Sequence, residues 1–486
     1  LKKTFPVYFG ERGDICTDKP SRCACLSACV GRGICEANLL TGILHEWMMR
    51  GLLVAGTQSG IGKTTITLAI LRALKDSGYT VQSYKVGPDF IDPSHLEKVT
   101  NAPCYNLDSF MMGEEGVKRE FAKCNADYAV IEGAMGMYDG ISSDAKIADI
   151  LRVPVLLVID ASASSESVAA QALGFIRYSS YTPYRLAVAG IIANRVRSQK
   201  HAESIRRALA AINVPLMGVV AADAEGIPSR HLGLYMGSET SLPGATLKAI
   251  YDSLDIESIK RLTTQIAVDK PEELRHTTDT LIGIAYDAAF CFYYRSNIEA
   301  IQKRAQVVYF SPMRDELPDV DGLYFGGGYP ELYAAQLSAN NHLLKDVKTN
   351  ADDGMPVYGE CGGLMYLSRT LSTVDGKSVS LGNVLPLDVQ MTRKRQALGH
   401  VEVQAIADCA IARSSDILRG HEYHYSTASV DNDARFAYRV TTGKGIDGRD
   451  GITEGNVVAS YLHAHVYSMP HGFDVFVANA NTFARS

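Results

Sequence analysis

Residues 51–70 read GLLVAGTQSGIGKTTITLAI. A short apolar run, a glycine-bearing loop and a helical run follow one another without a gap. The central part, GTQSGIGKTT at 56–65, is a variant of the phosphate-binding loop, in which glycines let backbone N–H groups close around a polyphosphate. It stands where that motif must stand, after a strand and at the start of a helix. Ser59, Gly60 and Gly62 complete the expected cradle. Lys63 would reach the β and γ phosphates, and Thr64, with Thr65 beside it, would turn a hydroxyl to Mg²⁺. ATP and Mg²⁺ are the ligands this stretch predicts.

The segments around it extend the pattern. YTVQSYKVG (79–87), ADYAVIEGAMG (126–136), VPVLLVIDAS (153–162) and LAVAGIIANRV (186–196) are short apolar runs separated by helical stretches. They predict a mostly parallel sheet covered on both faces. Ligands of such sheets collect beyond the carboxyl ends of the strands. KVGPDFIDP therefore offers Lys85, Asp89 and Asp92 to the phosphates, and VIEGAMGMYDG offers Glu132 and Asp139. Glu132 is the expected second contact to the metal, after Thr64, and Asp160 is a comparable strand-end acid. Taken singly, Asp89 and Asp92 also read as turn formers.

A second α/β rhythm begins at TLIGIAYDAAFCFYY (280–294) and runs through AQVVYFSPM (305–313), VDGLYFGGGYPE (320–331) and MPVYGECGGLMYLS (355–368) to VVASYLHAHVY (457–467). In YGECGGLMYL, Cys361 follows a strand and is flanked by small residues, the setting of a nucleophile elbow. A buried structural cysteine is the plainer alternative. FGGGYPE (325–331) supplies consecutive backbone N–H groups for an oxyanion hole, and SYLHAH (460–465) supplies histidines. His463 is the expected general base, and His465 would orient it or bind substrate.

Composition sets bounds on the rest. A chain of 486 residues predicts two or three domains, and 46% apolar with 21% charged residues is ordinary for a globular protein. A net charge of -6 gives nucleic-acid binding no support. No run of about 20 apolar residues predicts a membrane span. LKKTFPVYFGERGD lacks the apolar core of a signal peptide, and the opening Leu fits a trimmed start. Of ten cysteines, five crowd into 16–35 as Cys16, Cys23, Cys25, Cys29 and Cys35. The others are scattered, which argues for a reducing cytoplasm rather than a disulfide framework. The crowded five match no familiar spacing. They are candidates for zinc or an iron–sulfur cluster, against the plainer reading of an unliganded extension. The expected organisation is a cysteine-rich extension at 1–50, an α/β phosphate-loop domain at 51–255, a linker at 256–280 and a second α/β domain at 281–486.

Taken in order, GTQSGIGKTT, YKVGPDFIDPSHLEKVT, NLDSF, EGAMGMYDG, SRHLGL, YDAAFCFYY, FGGGYPELY, GECGGLMYL, GHEYHYS and SYLHAH resemble the cobyrinic acid a,c-diamide synthases over roughly residues 50–470. Their relatives that amidate nickel sirohydrochlorin on the route to coenzyme F430 look equally similar. The C-terminal half resembles class I glutamine amidotransferases, and the first half the biotin-route ATP-dependent synthetases. The resemblance implies that Cys361 attacks glutamine and releases ammonia while His463 shuttles the proton. Backbone at Gly327 and Gly328 would steady the oxyanion. In the other half, ATP would activate an acetate of a tetrapyrrole as an acyl phosphate, which ammonia would convert to an acetamide. The class I acid two residues after the histidine is His465 here, so a third triad member stays unassigned. KVGPDFID, the tyrosines at 293–294 and GHEYHYS, with His421 and His424, would line the macrocycle or the domain interface; the two histidines also read as structural. A homodimer and a cytoplasmic location accompany the resemblance. A partitioning-type ATPase switch would leave Cys361, FGGGYPE and the histidines without a role, and GHEYHYS and SYLHAH favour the a,c-diamide type over a cobyric acid synthase-like amidase. No motif separates cobalt from nickel, and the corrinoid is preferred as the broader match.

Overall fold

The computed structural model describes residues 47–268, apart from 225, 228, 231 and 232, and residues 278–485. The five crowded cysteines, with their expected zinc or iron–sulfur ligation, and part of SRHLGL lie outside the described residues. From Trp47 onward the chain forms one compact unit built on two large sheets, with three smaller ones of two to four strands among the described residues.

The first sheet grows from β1 (Trp47–Gly56). Alternate side chains of a strand point to opposite faces, so Leu53 and Ala55 enter one core while Leu52 and Val54 enter another. Both faces are therefore covered, as a continuous apolar run requires. β2 (Val81–Val86), β3 (Tyr105–Leu107), β4 (Tyr128–Glu132), β5 (Val155–Asp160), β6 (Val188–Val196) and β7 (Leu216–Ala221) complete the order β3-β2-β4-β1-β5-β6-β7. All these pairings are parallel. Helix α1 (Lys63–Asp76) buries Ile66, Ala69, Ile70 and Ala73 at helical spacing against the sheet. Burying each isoleucine side chain stabilises the fold by roughly 1.5–3 kcal/mol, and each alanine methyl by less.

The stretch expected as a linker is structured at its start. Helix Ile256–Leu262 is followed by β8 (Thr264–Val268), which runs antiparallel along β1 with Gly51 opposite Thr264. TQIAV is a strand former, and a Cβ on Gly51 would lie 2.7 Å from Val153 Cγ1 and 2.8 Å from Ile266 Cδ1, so glycine there leaves room for those two side chains.

The second sheet has ten strands. β9 (Leu281–Ala285), β10 (Gln306–Phe310), β11 (Gly322–Phe325), β12 (Val357–Glu360) and β17 (Val457–Ser460) form its parallel half, in the order β10-β9-β11-β12-β17. It continues antiparallel through β16 (Arg449–Glu454), β15 (Arg435–Thr442), β13 (Ala397–Ala405), β14 (Ile417–His424) and β18 (His463–Ala464). β17 and β18 are neighbours in sequence yet stand five places apart in the sheet, so the sheet must curl round on itself. The break falls at Tyr461 and Leu462, whose N–H groups both donate to the buried Asp450. The expected strand through SYLHAH is thus two strands with a corner between them.

No helix among the described residues is long and apolar enough to cross a membrane. Among the described residues, Cys104, Cys124, Cys361 and Cys409 are free thiols.

Candidate active sites

The loop after β1 turns on Gly62, which takes φ +90°, a conformation that favours glycine; a Cβ there would stand 2.5 Å from Asn194 Nδ2. That amide donates to Ile61 O at 2.7 Å and braces the loop. Ser59 and Gly60 are exposed at its mouth, Thr65 is half-buried in the first turn of α1, and Lys63 is buried. The Lys63 ammonium donates to Gln58 O at 3.0 Å and to Met135 O. Burial holds it below the ordinary lysine range, with Asp144 opposing.

The ends of β2 and β4 meet at the same place. Thr64 Oγ1 donates to Glu132 Oε1 at 2.6 Å, and Lys85 reaches that oxygen at 2.9 Å and Asp92 Oδ2 at 2.6 Å. The cluster is dry: the side chains of Lys85 and Glu132 are 4% and 0% exposed. Burial pushes the Glu132 carboxyl up to about 8 against the pull of Lys85. Burial also raises Asp92, but Lys85 wins and holds it below the carboxylate range. Burial lowers Lys85, and Asp92 and Glu132 more than restore its charge. The second oxygen of Glu132 has no protein partner. An orphaned carboxylate oxygen beside a threonine hydroxyl fits Mg²⁺, which takes few protein ligands and shares phosphate oxygens and water. The described residues hold no cluster of three or more metal-ligating His, Cys, Asp or Glu side chains.

Replacing Lys85 with methionine should destabilise the nucleotide-free protein by about 3–5 kcal/mol, because Asp92 is left charged and unpaired. Guanidinium unfolding midpoints of the variant and the parent check this.

The other acids have quieter surroundings. Asp89 Oδ1 accepts the N–H groups of Ile91 and Asp92 at 2.8 and 3.0 Å, the turn geometry weighed above. Burial, and then Asp92, push its carboxyl up to about 6. Asp139 accepts Gly136 N at 3.1 Å within its own turn. Asp160 pairs with Arg195, whose other arm donates to Gly60 O at 2.7 Å and clips the loop from outside.

The thiol site assembles at the curl of the second sheet. Cys361 follows β12 with φ +46° and ψ −89° and caps helix α2 (Gly362–Leu367), the strained elbow its neighbours predict. Its N–H donates to Ser460 O at 2.7 Å. Burial, then Glu331 and Glu360, push the thiol well up, so a base has to take its proton. A Cβ on Gly327 would collide with the His463 ring, and one on Gly362 would lie 3.2 Å from Gly328 N. The glycine loop, the imidazole and the elbow therefore converge.

His465 does not orient His463. Its Nδ1 accepts Tyr467 N at 3.3 Å, and its ring packs on Tyr294 and Tyr467. The group facing His463 is Glu360, the residue before the nucleophile. Its Oε2 lies 3.7 Å from His463 Nδ1, which has no hydrogen-bond partner, and both side chains are buried. Tyr324 donates to Glu360 Oε2 at 3.0 Å, while Tyr358 at 2.5 Å and Ala464 N at 3.2 Å donate to Oε1, fixing the carboxylate. His421 stacks on His463 with centroids 4.8 Å apart and shares a 2.7 Å hydrogen bond with Tyr294. His424 is turned to Ser426 O and stacked on Tyr461, a structural placement.

Residues 52–233 match the CobQ/CobB/MinD/ParA nucleotide binding domain, and 281–470 match the CobB/CobQ-like glutamine amidotransferase domain. The cobyrinate a,c-diamide synthase of Haloarcula marismortui is 44% identical over 425 residues, covering 86% of this chain and 96% of that protein. That of Halobacterium salinarum is 44% identical over 436 residues, covering 88% and 97%. That of Methanothermobacter thermautotrophicus is 37% identical over 456 residues, covering 89% and 100%. The chain belongs to the cobyrinate a,c-diamide synthase family.

Family membership bears out the resemblance and both α/β domain types, and the amidotransferase match sets the switch-ATPase reading aside. Within this a,c-diamide synthase fold, three groups escaped the reading of the sequence. Asp144 is buried within electrostatic reach of Lys63, and burial pushes its carboxyl up to about 7. Asn194 and Arg195 were read only as the end of a strand. Glu360 stood inside the motif that was read, and one signal pointed to it: VYGE is a buried parallel strand whose last residue is ionisable, and such a group needs a partner.

Proposed function

We propose that this chain is an ATP- and glutamine-dependent ligase that converts the a and c acetate arms of a tetrapyrrole, cobyrinate, into acetamides. The observation that carries the reading is the presence of two activating sites in one unit. A phosphate loop faces hard oxygen donors, and a nucleophile elbow faces a buried imidazole. Each chemistry needs the other, because a carboxylate is a poor electrophile and ammonium is no nucleophile.

At the thiol site, His463 takes the Cys361 proton as the sulfur attacks the glutamine amide carbon, and the Gly327–Gly328 backbone faces the developing oxyanion. Ammonia leaves with a proton from His463, and water then cleaves the thioester to glutamate and free thiol. Glu360 acts as the positioning residue for His463. At the nucleotide site, Lys63 and the loop N–H groups hold ATP while an acetate oxygen attacks the γ-phosphorus and ADP departs. Thr64 and Glu132 would hold Mg²⁺, which supplies charge neutralisation on the phosphates when bound. Ammonia attacks the acyl phosphate carbon, phosphate leaves, and the nitrogen loses a proton to give the amide.

The test is product mass with ATP, Mg²⁺ and glutamine, using cobyrinic acid and, separately, nickel sirohydrochlorin. Two amide groups gained on the cobalt ring support the proposal. Two gained only on the nickel ring would move the substrate to the other branch. ATP turnover with neither ring amidated would overturn the assignment.

Glu360→Gln should lower glutaminase kcat on the order of 10²-fold or more, since a neutral neighbour neither orients nor stabilises the imidazolium. The pH profile of glutamine hydrolysis should shift with it. An unchanged profile would make Glu360 merely structural.

A further inference from the structure

An apolar side chain of the nucleotide half, Phe90, reaches the histidines of the thiol half. Phe90 belongs to the loop after β2, between Asp89 and the Lys85-bound Asp92. Its ring stacks on Phe292 with centroids 5.1 Å apart and planes at 12°. It also leans on Tyr294 at 4.9 Å, on His421 at 5.5 Å and on His463 at 5.4 Å. The phenyl group is therefore in the wall of the glutaminase site, although it is carried by the sheet that bears the phosphate loop.

The same residue also lines a cavity of about 350 Å³ between the two halves. Asp89 and Asn106 from the nucleotide half and Tyr293 and Arg295 from the other contribute to this cavity. Phe90 thus has the thiol site's histidine against its ring and an interdomain cavity beside it. Its loop is tied to the nucleotide site through consecutive contacts: Asp92 to Lys85, Lys85 to Glu132, and Glu132 to Thr64.

Resting on the reaction proposed above, we propose that Phe90 is the partition ammonia crosses between Cys361 and the interdomain cavity. The chemistry asks for such a residue. Ammonia that meets water is protonated and lost as a nucleophile, so the barrier has to exclude water yet let a small neutral molecule by. An aromatic ring does this when it is displaced slightly, and a loop anchored through Asp92 to Lys85 and Glu132 can displace it when nucleotide and acceptor bind. Phe90 is a positioning residue: it touches His463 and the cavity and takes no part in bond making.

The experiment counts glutamate released per amide formed, in the full chain with ATP, Mg²⁺, glutamine and cobyrinic acid. In the parent protein the ratio should stay near one-to-one. In Phe90→Ala it should rise at least about threefold, because ammonia escapes to solvent through the opened wall. Phe90→Leu, which keeps an apolar plug, should fall between the two and guards against a variant that fails to fold. Glutaminase without ATP and acceptor should rise in Phe90→Ala relative to the parent, since the wall no longer waits on the nucleotide site. A ratio that stays near one-to-one in both variants overturns the partition. Failure of the parent to amidate the ring even with ammonium chloride overturns the underlying reaction instead, and the partition with it.

Discussion

Cys361→Ala should abolish glutamine-dependent amide formation, on the order of 10⁴-fold or more, while amidation supported by ammonium chloride continues. The asymmetry follows from where the thiol stands. Cys361 stands on the elbow, bonded to the curl strand at Ser460 O and facing Tyr423 O, within the second sheet rather than at the phosphate loop. Removing Sγ takes away one polarisable atom from a small buried site, so folding should change little. Glutamate release and amide formation, assayed in parallel with glutamine and with ammonium as nitrogen donors, check the outcome. Loss of the ammonium-supported reaction too would mean that the thiol site also serves the synthetase half.

Lys63→Ala should give the complementary result, losing amide formation with either nitrogen donor by on the order of 10³-fold or more. Lys63 is held by the carbonyls of Gln58 and Met135, so its charge is already aimed across the loop before ligand arrives. The alanine variant loses the one ammonium on the loop and leaves Asp144 with only the Ala134 N–H and the more weakly acting Lys85 to offset its burial. Glutaminase activity alone should survive, because Cys361, His463 and Glu360 belong to the other sheet. Acyl phosphate formation followed by phosphate release in the absence of glutamine measures the loss. A variant that still amidates with ammonium would show that phosphate binding rests on the backbone cradle and not on this lysine.

The two activity variants separate the halves, and the sequence allowed that separation because each half carries a local motif. The phosphate loop is contiguous, and strand, loop and helix follow one another within twenty residues, so spacing alone places Lys63 and Thr64. Strand-end acids were legible for a related reason: parallel strands put their carboxyl ends on one edge. The identity of the orienting acid was not legible. Glu360 and His463 come from strands a hundred residues apart, and only the curl of the second sheet turns one toward the other. The expectation that His465 would orient His463 or bind substrate rested on the two side chains pointing the same way along one strand. The strand that carries His463 ends at Ala464, and His465 beyond it turns its ring onto Tyr294 and Tyr467. Phe90 was hidden by its chemistry. It stands in the quoted KVGPDFID, which was read as substrate or interface lining, but an apolar ring between two aspartates gives no sign of which site it will reach.

The curl has a consequence for the order in which the enzyme comes to exist. Cys361 is held by Ser460, and its base lies on the two-residue strand at 463–464, near the end of the chain. Everything the phosphate loop needs has been synthesised by residue 268. A domain generally folds as a unit, N-terminal first during synthesis. A nascent or C-terminally truncated chain would thus have a finished nucleotide site and no glutaminase. Release of ammonia from glutamine begins only when the last strands arrive, with the synthetase half already waiting to receive it.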